Sequence, residues 1–161
     1  ALAEGIEHIA GATGSTSEAS VQAFHSLPNQ ALIDMGDFVG GMLKYVRGHP
    51  VPKVTVAGGF GKMTKMAQGA MDLHSGRSQV DFDWLARRVE LLDGDPAMVD
   101  QVRAANTAKQ AYELARSADI DLASDIANNA MEAGYRVLRG SDVELDIVVI
   151  DRDGAIIGRA S

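Results

Sequence analysis

Glycines and lysines that could bind an anionic ligand are concentrated between positions 58 and 75. Gly58, Gly59 and Gly61 follow a predicted strand at residues 53–57, and glycine lets a backbone approach a bound ligand closely. Lys62 and Lys65 stand three residues apart in the predicted helix that follows, so their side chains share one helical face. Two ammonium groups in this arrangement could bind two carboxylates. The alternative is that the glycines only form a turn and the lysines are solvated.

A second glycine-containing turn, Gly11-Ala12-Thr13-Gly14, follows a short predicted strand at residues 6–10. Neither turn is a recognised nucleotide-binding motif. Met63 follows Lys62 where a Walker A loop needs Ser or Thr, and the first turn lacks the full G-x-G-x-x-G spacing. The first turn could still receive a carboxylate or hydroxyl of a cofactor, and an ordinary strand-to-helix connection is the alternative. Its hydroxyl donors are Ser15, Thr16 and Ser17.

Charged groups also follow two other predicted turns. Asp34 and Asp37 straddle Met35 and Gly36 at the end of the predicted strand 31–35, where they could bind a ribose or an ammonium group. The alternatives are a buried strand end for Asp34 and a helix cap for Asp37. His74 precedes Arg77 in a polar loop, in which a proton acceptor and a carboxylate-binding group could converge. An exposed histidine without a role is the alternative.

Three successive strand-and-helix units must position these turns. The strands are predicted at residues 6–10, 31–35 and 53–57. Helices are predicted at residues 17–26, from an Asp37 cap to Gly48, and from the glycine turn at 58–62 to about Met71. Such units form parallel sheets, whose ligands bind at the carboxyl ends of the strands. The turns described above are therefore predicted at one edge of the sheet.

The remaining chain is predicted to be helical to about residue 140 and then to form a hairpin. The helices are predicted at residues 80–92, with Trp84 in core packing, from Pro96, at 108–117 after an Asn106-Thr107 cap, and at 122–133, ended by Gly134. Strands at 143–151 and 155–158 flank an Arg152-Asp153-Gly154 turn. The predicted fold is α/β, a three-layer Rossmann-like parallel sheet with a helical C-terminal stretch and a terminal β-hairpin. Residues 1–161 are predicted to form one domain, and residues 1–6 to hold the end of a helix that runs into a strand.

Composition argues against several classes of protein. A net charge of -7 argues against nucleic-acid binding, which needs a surplus of cations on one face. No apolar run is long enough to span a membrane, and the absence of cysteine removes disulfides and thiolate sites. The four histidines are too dispersed to predict a metal site. A soluble, cytoplasmic protein is predicted.

Taken together, these segments resemble the CbiD family, the C-1 methyltransferases of the cobalt-early route to cobalamin. The family pattern is a strand, then G-x-x-G-K-hydrophobic-x-K-x-A-x-G, then a short run into H-S, which residues 58–69 and His74-Ser75 match. Asp37-Phe38-Val39-Gly40 is similar to the family's asparagine-phenylalanine-aliphatic-glycine element, and residues 105–107 and 148–154 also resemble family features. The chain departs from the pattern at Asp37, in the first glycine turn, and at Asp72-Leu73, where Asn-Thr is usual. The resemblance covers most of the chain and corresponds to the C-terminal part of the family's usual length.

This resemblance implies an S-adenosyl-L-methionine-dependent enzyme that methylates C-1 of cobalt-precorrin-5B, a tetrapyrrole, to give cobalt-precorrin-6A. Such a transfer needs positioning and exclusion of water rather than a nucleophilic side chain. The alternatives are a non-catalytic tetrapyrrole-binding module and an unrelated nucleotide-binding α/β protein, and assembly as a homo-oligomer is left open. The resemblance assigns His74 to catalysis, no residue to a metal, and the substrate to Gly61, Lys62, Lys65, Ser75 and Arg77. It assigns the cofactor to Gly11, Thr13, Gly14, Ser15, Asp34, Gly36, Asp37, Gly58 and Gly59.

Overall fold

The computed structural model describes residues 5–161, in which strands and helices alternate at first and four helices then precede a hairpin. A short 3-10 helix, Asn29–Ala31, precedes the second strand. The helix end predicted for the first residues lies outside the described residues. The strands are β1 (His8–Ala12), β2 (Leu32–Asp34), β3 (Lys53–Gly59), β4 (Glu144–Ile150) and β5 (Ile156–Ala160). The α-helices are α1 (Ser15–His25), α2 (Val39–Gly48), α3 (Phe60–Ala67), α4 (Phe82–Leu91), α5 (Pro96–Arg103), α6 (Ala108–Ser117) and α7 (Leu122–Leu138).

All five strands belong to one sheet in the order β2-β1-β3-β4-β5. β1 pairs in parallel with β2 and β3, and β3 pairs in parallel with β4. β5 is antiparallel to β4 and completes the predicted terminal hairpin. The predicted α/β class and hairpin are confirmed, although β5 makes the sheet mixed rather than wholly parallel.

Helices cover both faces of the sheet. Val56 and Ile147 face the larger core, which they share with side chains of α2, α3 and α7. Ala57 and Val148, their neighbours in sequence, face the opposite side and pack with Val21 of α1. The connection after β1 therefore leaves on one face and the connection after β3 on the other. In such sheets a crevice forms between the two strands at which the connections diverge.

Strands β1 and β3 each run two residues further toward the predicted turns than expected. β1 ends at Ala12 and β3 at Gly59, so Gly11 and Gly58 are paired strand residues rather than loop residues. The ladder of β3 continues because β4 supplies pairing partners as far as Ile150. The chain therefore passes from the end of β3 directly into α3.

The end of α3 and the start of α2 also differ from the prediction. α3 ends at Ala67 rather than near Met71, because Gly69 adopts a left-handed conformation with φ of 101°. Asp37 does not cap α2, which begins after Phe38 without a hydrogen bond from a capping side chain. The carboxylate of Asp37 instead contacts a lysine, as described below.

Helix α7 is continuous through Gly134, where the sequence predicted its end. A Cβ atom at Gly134 would lie 2.5 Å from Cδ2 of Leu145 on β4. The glycine therefore allows close packing of helix against sheet, and the helix continues to Leu138 because its apolar face remains buried there.

Side-chain caps begin all four helices of the C-terminal half. The side chains of Asp81, Asp95, Thr107 and Asp121 each accept a hydrogen bond from a backbone N–H three residues later. The cap predicted at Thr107 is confirmed. Within residues 5–161, no helix is long and apolar enough to cross a membrane.

Candidate functional site

An open cleft of about 1230 Å³ lies at the carboxyl ends of β1 and β3. One wall is formed by the first turns of α1 and α3, a second by α6, and a third by the turn between β4 and β5. The edge predicted to bind ligands therefore carries a cleft. The cleft is lined by residues 13–17, 59–62, 107–109, 112, 113, 116, 150–153 and 157.

The first wall begins where α1 starts without a side-chain cap. Gly14 is the N-cap residue and has extended backbone geometry with φ of 177°. The hydroxyl of Ser17 donates to the carbonyl of Gly14 and accepts from its N–H, at 2.9 and 3.2 Å. In residues 5–161, the N–H groups of Ser15 and Thr16 have no hydrogen-bond partner. These amides remain available to an anion, which the dipole of α1 also favours.

The start of α3 repeats this arrangement beside it. Its N-cap residue is Gly59, and no side chain caps the helix. The lining residues Phe60, Gly61 and Lys62 form its first turn, whose N–H groups have no intrahelical partners. Two glycine-capped helix starts therefore meet at one cleft, whereas α4, α5, α6 and α7 each begin with a capping side chain.

The second wall is one face of α6. Lys109, Tyr112, Glu113 and Arg116 all line the cleft, and their spacing places them on one side of a helix. Lys109 forms an ion pair with Glu113 at 3.2 Å. The ring of Tyr112 packs against that of Phe60 with centroids 5.2 Å apart, which joins this wall to the start of α3.

The third wall is a turn that Asp151 holds in shape. Oδ1 of Asp151 accepts hydrogen bonds from the N–H groups of Asp153 and Ala155, both at 2.9 Å. The hydroxyl of Ser20 donates to the carbonyl of Gly154 at 2.7 Å and ties the turn to α1. A ligand in the cleft would therefore meet a fixed turn.

Lys62 connects the loops behind the cleft. Its ammonium lies 2.7 Å from Oδ1 of Asp37 and donates to the carbonyl of Thr13 at 3.3 Å. Oδ1 of Asp37 is buried, and the lysine contact is a close ion pair that is not aligned as a hydrogen bond. The backbone of Asp37 accepts from the N–H of Leu73, and Lys65 donates to the carbonyl of Leu73 at 3.1 Å. Both predicted substrate-binding lysines thus already contact the protein.

Several predicted site residues lie at the same edge but outside the lining of the cleft. Asp34 is exposed at the end of β2, paired in register with Ala12, so it is not the buried strand end given as the alternative. Gly36 forms the predicted turn with φ of 54°. His74 is exposed, and Arg77 lies beside it, 3.4 Å from Asp72.

Ser75 is exposed in the same loop as His74. Two other predicted residues, Gly11 and Gly58, face packed atoms rather than the cleft. A Cβ atom at Gly11 would lie 2.2 Å from Sδ of Met42, and one at Gly58 would lie 2.9 Å from Cγ2 of Thr13. These two glycines fix how closely α2 and the first turn approach the strands.

A second polar cluster lies on the α1 face, toward the amino ends of the parallel strands. Asp146 is fully buried there and contacts His25 at 2.7 Å, Thr55 at 3.0 Å and Arg159 at 3.0 Å. Nε2 of His8 lies 2.8 Å from the hydroxyl of Thr55. Burial lowers the pKa of His8, and the nearby His25 lowers it further. In the described residues, no group of three histidine or carboxylate side chains is arranged to hold a metal ion.

Comparison with known protein families identifies the chain. A family model described as "CbiD, C-terminal domain" matches residues 72–161, which are more than half of the chain. The chain belongs to the CbiD family. The family resemblance predicted from the sequence is thereby confirmed.

Individual members of the CbiD family match nearly the whole chain. The cobalt-precorrin-5B C(1)-methyltransferase of Methylorubrum extorquens is 52% identical over 98% of this chain and 44% of that protein. The proteins of the same name from Brucella anthropi and Bradyrhizobium sp. are each 51% identical over 99% of this chain, and over 43% and 42% of their own lengths. The chain therefore spans less than half the length of these CbiD relatives. No solved structure matches it.

The walls formed by α6 and by the turn between β4 and β5 are the parts of this CbiD cleft that sequence reasoning missed. Tyr112 and Arg116 belong to no motif, and only their helical spacing from Lys109 could have shown that they share a face. That this face looks onto the first glycine turn depends on how the chain crosses the sheet.

Proposed function

We propose that this chain forms part of an S-adenosyl-L-methionine-dependent methyltransferase of cobalamin biosynthesis, which methylates C-1 of cobalt-precorrin-5B to give cobalt-precorrin-6A. The observation that carries the proposal is the 52% identity to a cobalt-precorrin-5B C(1)-methyltransferase over 98% of the chain. A Rossmann-like arrangement of the sheet is part of the proposal, since the strand order places a crevice between β1 and β3.

The start of α1 fits the amino-acid part of such a methyl donor. The free N–H groups of Ser15 and Thr16, together with the dipole of α1, suit a carboxylate. Gly14 leaves the approach open, because no atom lies within 4 Å of the position that a Cβ would take. When bound, the sulfonium of the donor supplies an electrophilic methyl group.

Asp34 is positioned to bind the ribose of the donor. It ends β2, is exposed, and pairs in register with Ala12 beside the first glycine turn. In doubly wound sheets, an acidic residue at about this distance after the glycine turn, roughly 20 residues on, accepts hydrogen bonds from ribose hydroxyls. Gly36 and Asp37 shape the loop that follows, and Lys62 holds that loop against the first turn.

The substrate would then occupy the cleft between α6 and the two helix starts. The chain contributes orientation and exclusion of water, since attack of a carbon on a sulfonium methyl needs no nucleophilic side chain. His74, Ser75 and Arg77 form an exposed loop beside Leu73, the residue that Lys65 and Asp37 hold. We assign His74 the role of accepting the proton that the substrate loses.

Calorimetry with S-adenosylhomocysteine tests the donor site, using Gly14→Asp as the decisive variant. The new side chain has space and a compatible backbone, so the fold is retained. Its carboxylate would cap α1 and repel the ligand carboxylate, and we expect affinity to fall at least about tenfold. Gly48→Ala is the matched control, because Gly48 is equally open and lies outside the cleft. Equal affinity of Gly14→Asp and the unmodified chain, or no binding by either, would contradict the proposal.

A non-catalytic module that holds a tetrapyrrole is the second candidate. The exposure of His74, outside the lining of the cleft, favours it. Binding of the corrinoid without methyl transfer, in a protein that also contains the remaining length of the relatives, would support this candidate over the enzyme.

A further inference from the structure

The cations best placed to bind an anionic substrate are not the two lysines of the glycine-rich segment. Four cationic side chains line the cleft: Lys62, Lys109, Arg116 and Arg152. Lys62 is paired with Asp37, and Lys109 with Glu113. Among residues 5–161, neither arginine has a carboxylate within ion-pair distance. Each guanidinium therefore keeps its full hydrogen-bonding capacity for a ligand.

The carboxylates that line the cleft differ in how far they offset the positive charge of these arginines. Glu113 is neutralised by Lys109, and Oδ1 of Asp151 is held by two N–H groups of its own turn. Asp153 is different, because it is exposed beside Arg152 without an ion pair in the described part of the chain. It is the one carboxylate expected to oppose an anionic ligand at this wall.

Tyr112 adds an aromatic surface between the charged groups of α6. It is half-buried, packs against Phe60, and precedes Arg116 by one helical turn. An aromatic ring that lines the same cleft as two free guanidinium groups suits a flat ligand with carboxylates at its periphery.

We propose that Arg116 and Arg152 form a carboxylate-binding subsite that orients a flat, carboxylate-rich tetrapyrrole against Tyr112. The inference deepens the proposed function and rests on it. It places substrate recognition on α6 and on the turn between β4 and β5, two of the three walls of the cleft. The two arginines determine specificity for the substrate, whereas the N–H groups at the start of α1 bind the methyl donor.

Absorbance titration of the chain with a porphyrin octacarboxylate and a porphyrin tetracarboxylate tests this subsite. We expect the octacarboxylate to bind more tightly, and Arg116→Met with Arg152→Met to weaken its binding about tenfold or more. Asp153→Asn is expected to tighten binding, because it removes the opposing charge. Arg87→Met is the control, since Arg87 is an exposed arginine of α4 outside the cleft. Circular dichroism checks that each variant is folded.

The results separate this inference from the proposed function. Equal binding of the octacarboxylate by the double variant and the unmodified chain would overturn the subsite, as would no binding or no preference for the octacarboxylate. S-adenosylhomocysteine affinity should be unchanged in the double variant. Failure of the unmodified chain to bind S-adenosylhomocysteine would instead refute the proposed function, whatever the porphyrins show.

Discussion

At the scale of single residues, the surroundings of Lys62 decide its role more than its position in a motif. The sequence predicts a ligand-binding ammonium, whereas the structure pairs that ammonium with Asp37 and with the carbonyl of Thr13. Lys62 therefore joins the loops that follow β1 and β2 to the start of α3. Binding of substrate by Lys62 stays a prediction, and its charge is already balanced by the protein.

The two partners of this ion pair should differ in their effect on stability. The side chain of Asp37 is 22% exposed and that of Lys62 is 41% exposed. Lys62→Met leaves a mostly buried carboxylate without its counter-ion, and we expect it to lower the free energy of unfolding by about 1–2 kcal/mol. Asp37→Asn leaves an ammonium that water can reach, and it should cost less than about 1 kcal/mol.

Urea unfolding of both variants and of the double variant measures this asymmetry. We expect the double variant to lose less stability than the sum of the single variants, because each single change already removes the pair. Equal single effects that add would show that Lys62 and Asp37 are independent. Lys44→Met, at an exposed position of α2, is the matched control for losing a lysine.

At the scale of elements, two glycines lie where a helix and a strand pack closely against each other. Gly134 allows α7 to pack on β4, and Gly158 allows β5 to pass the first turn of α7. The sequence predicted a helix end from the first glycine and a hairpin strand around the second. The same residue type therefore marks a turn in one place and a close contact in another.

Gly158→Ala should be strongly destabilising for this reason. A Cβ atom at Gly158 would lie 2.4 Å from the backbone carbonyl of Ala123, which cannot move without displacing α7. We expect a loss of about 1–3 kcal/mol in the free energy of unfolding, measured in urea. Gly48→Ala in α2 has open space and should be neutral or slightly stabilising. A Gly158→Ala protein as stable as the Gly48→Ala protein would contradict this packing.

At the scale of the whole molecule, the sheet separates two polar regions. The cleft lies at the carboxyl ends of β1 and β3, whereas the cluster around Asp146 lies toward the amino ends. Thr55 donates to Asp146, which leaves its hydroxyl oxygen to accept from His8. The cluster joins α1 and β5 to the central strands.

The cluster predicts a loss of stability in mild acid. Burial, His25 and Lys53 lower the pKa of His8 in the fold from its ordinary value of 6.5, against smaller opposing effects of Asp146 and Glu144. As the pH falls below about 6.5, the unfolded chain binds a proton that the folded chain resists. His8 therefore contributes to the fall in stability from about pH 7 to about pH 5, a range that spans the ordinary histidine pKa of about 6.5.

His8→Gln tests this linkage, because glutamine can keep the hydrogen bond to Thr55 but does not titrate. We expect the variant to lose less stability than the unmodified chain over the same pH range, as measured by urea unfolding at each pH. His49→Gln, at an exposed position outside the cluster, is the control for the loss of a histidine. Parallel pH profiles of His8→Gln and the unmodified chain would exclude His8 as a source of the acid sensitivity.

The sequence by itself determined the α/β class, the terminal hairpin and the family. Apolar runs and turn residues are local signals, so the order of strands and helices followed from them, with α6 predicted at the bounds that the structure has. The glycine-lysine segment and His74-Ser75 carried the family. The end of β3 at Gly59 and the continuation of α7 through Gly134 were missed because they depend on partners elsewhere in the chain.

Only the tertiary structure decided which polar groups share a site. The cleft unites the first glycine turn with Arg116 and Arg152, which are far apart in sequence, because the strand order places β1 between β2 and β3 and brings α6 across the carboxyl edge. The same packing gives Lys62 an internal partner in Asp37 and leaves both arginines open. Local patterns fix the type of each element, whereas long-range packing fixes which charges are balanced by the protein and which remain for a ligand.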